Sequence, residues 1–235
     1  MAMACCLLLA CSQAQEAESL SGADQQKAAQ LLQSYESASR DGNWQAAENL
    51  ADQLRERYPE SAAAVSLAPS LEMVRKHAAA ARESQRLSAL WEYQAVQAGG
   101  GVQRSAAIYS RTVPAVEGEL APVADARLVL RDHPVWGRSA YLLLEQSKFR
   151  CGNPCTLMIR FGDSPVRSFA GRQADSGQGP ALFIKDEKQF IAAMDRRGKI
   201  RIELPQGSGR LASLSFDVAG FDPARYANPG TTPPR

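Results

Sequence analysis

His133 has more potential chemistry around it than any other residue. It stands in Arg131-Asp132-His133-Pro134-Val135-Trp136-Gly137-Arg138, where an imidazole beside a carboxylate has the components of a general base. Neighbours in sequence point in different directions on a strand, and no Gly-x-Ser-x-Gly turn supplies a nucleophile for such a base. The segment therefore reads as a polar and aromatic turn between two strands, with an enzyme using His133 as the alternative. The other histidine, His77, lies among Arg75, Lys76 and Arg82 and reads as part of a solvated helix face. Asp163 and Asp186 read as a turn residue and a helix cap. The sequence has no Walker loop, no Rossmann glycine pattern and no His-Glu-x-x-His. It is expected to be no enzyme, and no cofactor or metal is expected.

A second pattern is spread over the C-terminal half. Arg131, Arg138, Arg150, Arg160 and Arg167 are interleaved with Tyr109, Trp136, Tyr141 and Phe161. Arginine clamps carboxylates through two parallel hydrogen bonds and stacks on aromatic rings, a composition enriched at protein-binding surfaces. Taken singly, each of these residues reads as an ordinary solvent-facing side chain of an antiparallel strand. As a group, Arg131, Trp136, Arg138, Tyr141 and Arg160 are the candidate partner-binding face.

The N-terminus points to a compartment. Met1 to Ser12 form an apolar stretch with Cys5, Cys6 and Cys11, followed by the polar Gln13, Gln15, Glu16 and Glu18, the order of an exported protein's hydrophobic region and cleavage site. Leu8-Leu9-Ala10-Cys11 resembles the bacterial lipobox. That resemblance implies removal of residues 1–10 as a signal peptide and acylation of Cys11, the lipidation candidate. Several acyl chains, each methylene contributing roughly 0.8 kcal/mol, would hold the protein on a membrane without spanning it. Ser12 lacks the aspartate associated with inner-membrane retention, so the implied location is the bacterial cell envelope, on the outer membrane facing the periplasm. In that oxidising setting Cys151 and Cys155, separated by Gly152-Asn153-Pro154, read as a disulfide across a turn. The redox alternative would want C-x-x-C at a helix N-terminus, and a zinc site would want a histidine nearby.

These residues need positioning elements. Residues 11–23 read as a tether and residues 24–90 as a helical region. Ala28, Leu31, Leu32, Tyr35 and Ala38 recur at helical spacing, Asp41-Gly42-Asn43 supplies a turn, and Trp44, Ala47, Ala51, Leu54 and Tyr58 form a second stripe that ends before Pro59. This pair resembles a tetratricopeptide-type helical hairpin, of which one unit is visible where about three make an independent stack. An alanine-rich helix follows from Pro69 toward Leu90. Residues 91–222 read as a β-rich domain, with strands at 91–96, 106–111, 127–131, 139–145, 155–161, 181–184, 199–204 and 211–218. The last two alternate cleanly: Ile200, Ile202 and Leu204 oppose Arg201 and Glu203, while Leu214, Phe216 and Val218 oppose Ser215 and Asp217, so each has one buried and one wet face. Phe190, Ile191 and Met194 mark one helix between Asp186 and Gly198. Residues 223–235 read as a disordered tail. The fold class expected is α+β, a helical hairpin or short stack followed by an antiparallel β-sandwich or open barrel with one packed helix. The order of elements from Trp91 to Phe221 is similar to the β domains of uncharacterised periplasmic proteins, some of them associated with type VI secretion and invasion. That similarity implies an envelope setting and carries no catalytic residue.

At 235 residues the chain is long enough for one large or two small hydrophobic cores. Twenty-seven Lys and Arg against 25 Asp and Glu give a net charge of only +2, far from the basic excess of a protein that binds nucleic acid through phosphates. No nucleic-acid partner is expected. The expected function is that of a non-catalytic envelope lipoprotein that binds a protein partner, with membrane contact through the lipid anchor. The alternatives are an immunity or inhibitor lipoprotein acting on a periplasmic toxin or cell-wall hydrolase, and a periplasmic enzyme using His133.

Overall fold

A computed structural model describes residues 20–111, 126–144, 149, 152–173, 180–194, 198–205 and 211–227, without the side chains of 211 and 212. Cys11 and Cys151 fall outside them. The chain divides into two compact units, one running through Ala81 and the other from Arg82.

The first unit is built from helices α1 (Gly22–Arg40), α2 (Trp44–Arg57), α3 (Ala62–Ser66) and the first part of α4 (Ala68–Ala89). Their ends follow local chemistry. The Ser21 hydroxyl accepts from the Asp24 amide at the start of α1, and the Asn43 side chain accepts from the Ala46 amide at the start of α2. Gly42, at φ 70°, turns the chain between them. Helix α2 stops at Arg57 because Tyr58 precedes Pro59 and is pushed out of the helical region. The core is small-sided: Ala28, Tyr35 and Ala38 of α1 are buried with Ala47, Ala51 and Leu54 of α2, and with Leu67 and Val74. Buried Tyr35 needs a partner for its hydroxyl, and it shares a 2.7 Å hydrogen bond with Ser70. His77 is exposed, as expected, and its ring also stacks on Trp44 at 4.4 Å. The short helix α3, with only five residues, lacks the two turns over which a periodicity shows.

The second unit is one open antiparallel sheet. Its strands are β1 (Trp91–Ala98), β2 (Gly101–Tyr109), β3 (Ala126–His133), β4 (Gly137–Leu144), β5 (Cys155–Phe161), β6 (Arg167–Gln173), β7 (Ala181–Ile184), β8 (Ile200–Pro205) and β9 (Leu211–Phe216), in the order β1-β2-β3-β4-β7-β6-β5-β8-β9. Of the two architectures expected, a sandwich or an open barrel, it is not a sandwich of two sheets: the strands form one open sheet that is not closed into a barrel. An isolated bridge, with the Arg111 amide donating to the Ser215 carbonyl at 2.7 Å, brings the chain just past β2 to β9.

Side-chain alternation divides the sheet into two faces. Leu128 and Leu130, Ala140 and Leu142, Leu157 and Ile159, and Ile200 and Ile202 are all buried on the inner face. Helix α5 (Glu187–Met194) covers part of that face, with Phe190 between the rings of Phe161 and Phe169 at 5.8 and 6.0 Å. The β1 end is covered by a 3-10 turn (Val218–Gly220) and helix α6 (Pro223–Ala227). There Phe221 lies 5.0 Å from Trp91, and the Tyr93 hydroxyl accepts from the Asp222 amide at 2.7 Å. The sequence read as tail thus begins with an ordered helix.

Two features depart from the sequence reading. Strand β6 carries few β-branched or large apolar residues, and Gly171 interrupts it. That glycine is required by packing, since a Cβ there would lie 2.9 Å from the Cys155 sulfur and 3.1 Å from Leu157 on the paired strand. Asp217, placed by alternation on the wet face of the last strand, is 1% exposed. Strand β9 ends at Phe216, and Arg111 and Arg86 meet the Asp217 carboxylate at 2.8 and 3.6 Å.

Candidate functional site

The hairpin of β3 and β4 assembles three of the five candidate binding residues. Arg131 and Tyr141 project from the face opposite the core, because Leu128, Leu130, Ala140 and Leu142 take the inner positions and the register sets Val129 against Tyr141 and Arg131 against Ser139. The Arg131 guanidinium lies 5.4 Å from the Trp136 ring and 5.5 Å from the Tyr141 ring, and its Nε donates to the Ser139 hydroxyl at 3.2 Å. A guanidinium held between two aromatic faces gains about 0.5–1 kcal/mol from each at a solvent-exposed site, and among the described residues nothing takes its other N–H donors. Tyr141 continues the row to Phe183 of β7 at 5.2 Å. Burial pushes the Tyr141 phenol above its ordinary value, against the opposing pull of Arg131 and Arg127. On the β2 side, Arg127 lies over the Tyr109 ring at 4.8 Å and pairs with Glu92.

The turn that carries Trp136 is held from beneath. His133 is 5% exposed, and its Nδ1 accepts from the amides of Val135 and Trp136 at 3.1 and 3.2 Å. The imidazole stacks on the indole at 3.9 Å and 15°. The β1–β2 turn presses on the same segment: a Cβ at Gly99 would lie 2.8 Å from Val135, and one at Gly101 2.7 Å from Pro134. Gly99 also sits at φ 56°, so only glycine suits both its conformation and its neighbour. Above this support Trp136 is 70% and Val135 64% exposed. A large apolar side chain that is rigidly held and largely solvent-exposed gives up little conformational entropy when a partner covers it.

The other candidates stand apart. Arg138 is next to Ser139 in sequence, but it is paired in register with Asp132 and lies 3.5 Å from that carboxylate. Arg160 is on β5, separated from β4 by β7 and β6. The Cys155 sulfur is in a disulfide. Its expected partner Cys151, like the acylation candidate Cys11, lies outside the described residues. The sequence reading named Tyr109 in the wider arginine and aromatic pattern but not in the binding face, and it did not name Arg127 or Phe183, because only the pairing of β2, β3, β4 and β7 brings them to one face with Tyr141.

The geometry around His133 bears on catalysis. A general base needs a free lone pair within reach of a substrate proton, and the Nδ1 lone pair here is taken by two backbone donors while the ring lies under Trp136. Among the described residues no cluster of three or more His, Cys, Asp or Glu side chains is arranged to hold a metal ion, and no helix is long and apolar enough to cross a membrane. No protein-family model matches the chain, and neither does any curated protein or solved structure.

Proposed function

We propose that this protein binds a protein partner through the outer face of β3 and β4, with Trp136 as the central anchor and Arg131 and Tyr141 beside it. The observation that carries the reading is the 70% exposure of a tryptophan fixed by stacking on a buried histidine. Tryptophan, tyrosine and arginine are the residues in which binding energy concentrates, and their truncation commonly costs more than about 1 kcal/mol each, up to about 4. A partner with an acidic and apolar contact surface fits them, taking the free guanidinium donors of Arg131 and covering the indole.

Anchoring of the protein to a bacterial envelope membrane through acylated Cys11 belongs to the same proposal and rests on Leu8-Leu9-Ala10-Cys11. Radiolabelled palmitate should be incorporated and the protein should enter the detergent phase, and Cys11→Ser should lose both. Labelling that persists in that variant would remove the anchor from the proposal.

The binding face is tested by crosslinked capture from intact envelopes, comparing the parent with Trp136→Ala and Arg131→Ala combined. Capture of a specific partner should fall at least tenfold, with circular dichroism unchanged. Arg138→Ala, which removes a nearby charge already paired with Asp132, should change capture less than twofold. Equal losses in the two variants, or none in the first, would sink the proposed face.

A further inference from the structure

Arginines are matched with a neighbour over much of the second unit: Arg86 with Glu83, Arg111 with Asp217, Arg127 with Glu92, and Arg138 with Asp132. Arg160 and Arg201 are arranged differently. The register of β5 and β8 places them directly opposite each other on the outer face, and among the described residues neither side chain has an ion pair or a hydrogen bond. Like charges at directly opposed positions have Cβ atoms only about 5 Å apart and are destabilising. Glu203, the next residue of β8 on that face, is paired in register with Met158 and relieves neither arginine.

The two arginines border a cleft of about 520 Å³ whose walls also carry Lys199, Ser215 and Asp163. The Lys199 backbone is fixed beside Arg160's strand by the Gly162 amide, which donates to the Lys199 carbonyl at 2.7 Å. Gly162 and Gly198 leave the cleft open, since a Cβ at either position would meet nothing within 4 Å. Three cations and one carboxylate leave a surplus of two positive charges, together with a hydroxyl donor.

We propose that this cleft is a binding site for a phosphate-type oxyanion, either a soluble phosphate ester or the headgroup of an anionic phospholipid. Two guanidinium groups supply paired donors that match the tetrahedral oxygens, and Lys199 adds a point charge. The bound anion turns the Arg160–Arg201 repulsion into two attractions. The site is four strands from β3 and does not depend on the β3–β4 face.

The test is thermal unfolding of the full-length protein at constant ionic strength, with inorganic phosphate titrated against chloride. Phosphate should raise the unfolding midpoint in a saturable way. Arg160→Gln and Arg201→Gln should each weaken that response at least tenfold while leaving the phosphate-free protein as stable as the parent or more so. Arg201→Lys should keep part of the response. Lys188→Gln, the same charge change at an exposed position of α5, should keep all of it. Flotation of the Cys11→Ser protein, which lacks the acyl anchor, with phosphatidylglycerol and phosphatidylcholine vesicles separates the sources. Binding to the former that Arg201→Gln abolishes assigns the headgroup, and a phosphate response without vesicle binding assigns a soluble ester. A phosphate effect no greater than that of chloride, or an equal loss in Lys188→Gln, would overturn the site.

Discussion

Removing the two arginines that meet Asp217 should destabilise the protein far more than removing Asp217 itself. The Asp217 carboxylate is 1% exposed, while the side chains of Arg86 and Arg111 are about half exposed. One of its oxygens takes Arg111 at 2.8 Å and Arg86 at 3.6 Å, and the other, Oδ1, is buried without a hydrogen-bond partner among the described residues. In Asp217→Ala a charge-assisted hydrogen bond of about 1.5–3 kcal/mol is lost, but so is the desolvation cost of a half-satisfied carboxylate, about 1–3 kcal/mol. The freed guanidinium groups rehydrate, so the net loss should be about 1 kcal/mol. In the Arg86→Ala, Arg111→Ala double variant the carboxylate stays buried with no cation, which costs about 3–5 kcal/mol. The exposed pair of Arg86 with Glu83 at 2.7 Å is lost as well, but solvent and salt screen such a pair and it contributes little. Urea unfolding of the full chain, followed by circular dichroism and tryptophan fluorescence, should give a difference of at least about 2 kcal/mol between the variants. If Asp217→Ala is as costly as the double substitution, the carboxylate is not desolvated in the way this ranking requires.

Gly220→Ala should be among the most damaging single methyl additions. Its Cβ would lie 2.2 Å from the carbonyl carbon and oxygen of Leu87 and 2.4 Å from the Ser88 nitrogen, backbone atoms that cannot rotate aside. A cost of about 3 kcal/mol or more is expected by chemical denaturation, against less than about 0.5 kcal/mol for Gly198→Ala, where nothing lies within 4 Å. Tyr226 should make the protein sensitive to alkali. Burial first, and then the Asp132 charge, push its phenol up to about 12. The folded value lies above the ordinary one near 10. The stabilisation is therefore complete below pH 10 and is lost as the pH rises through about 12. Tyr226→Phe should flatten the fall in stability over that window at little cost at pH 7, because the buried hydroxyl has no hydrogen-bond partner to lose among the described residues. An unchanged slope in that variant would show that other groups govern the alkaline transition.

Several elements were legible in the residues alone because their cause is local. The stripe of Ala28, Tyr35 and Ala38, the turn at Gly42 and the stop before Pro59 need only helical period and backbone sterics, and they define α1 and α2. The alternation of Ile200, Ile202 and Leu204 needs only a pleated backbone with one wet face, and it defines β8. The sequence also named Arg131, Trp136 and Tyr141 as candidate binding residues, but it could not tell that they come together while Arg138 and Arg160 stand apart. That separation depends on strand parity and on the insertion of β7 and β6 between β4 and β5, which are properties of pairing between distant segments. The opposition of Arg160 and Arg201 arises in the same way, since it exists only in one register of β5 against β8. Asp217 shows the limit most plainly: alternation puts it in water, and burial follows from Arg111, 106 residues away in sequence, closing over it. Local periodicity records which side of a strand is apolar. The structure alone decides what stands on the other side, because that depends on which strands lie next to one another.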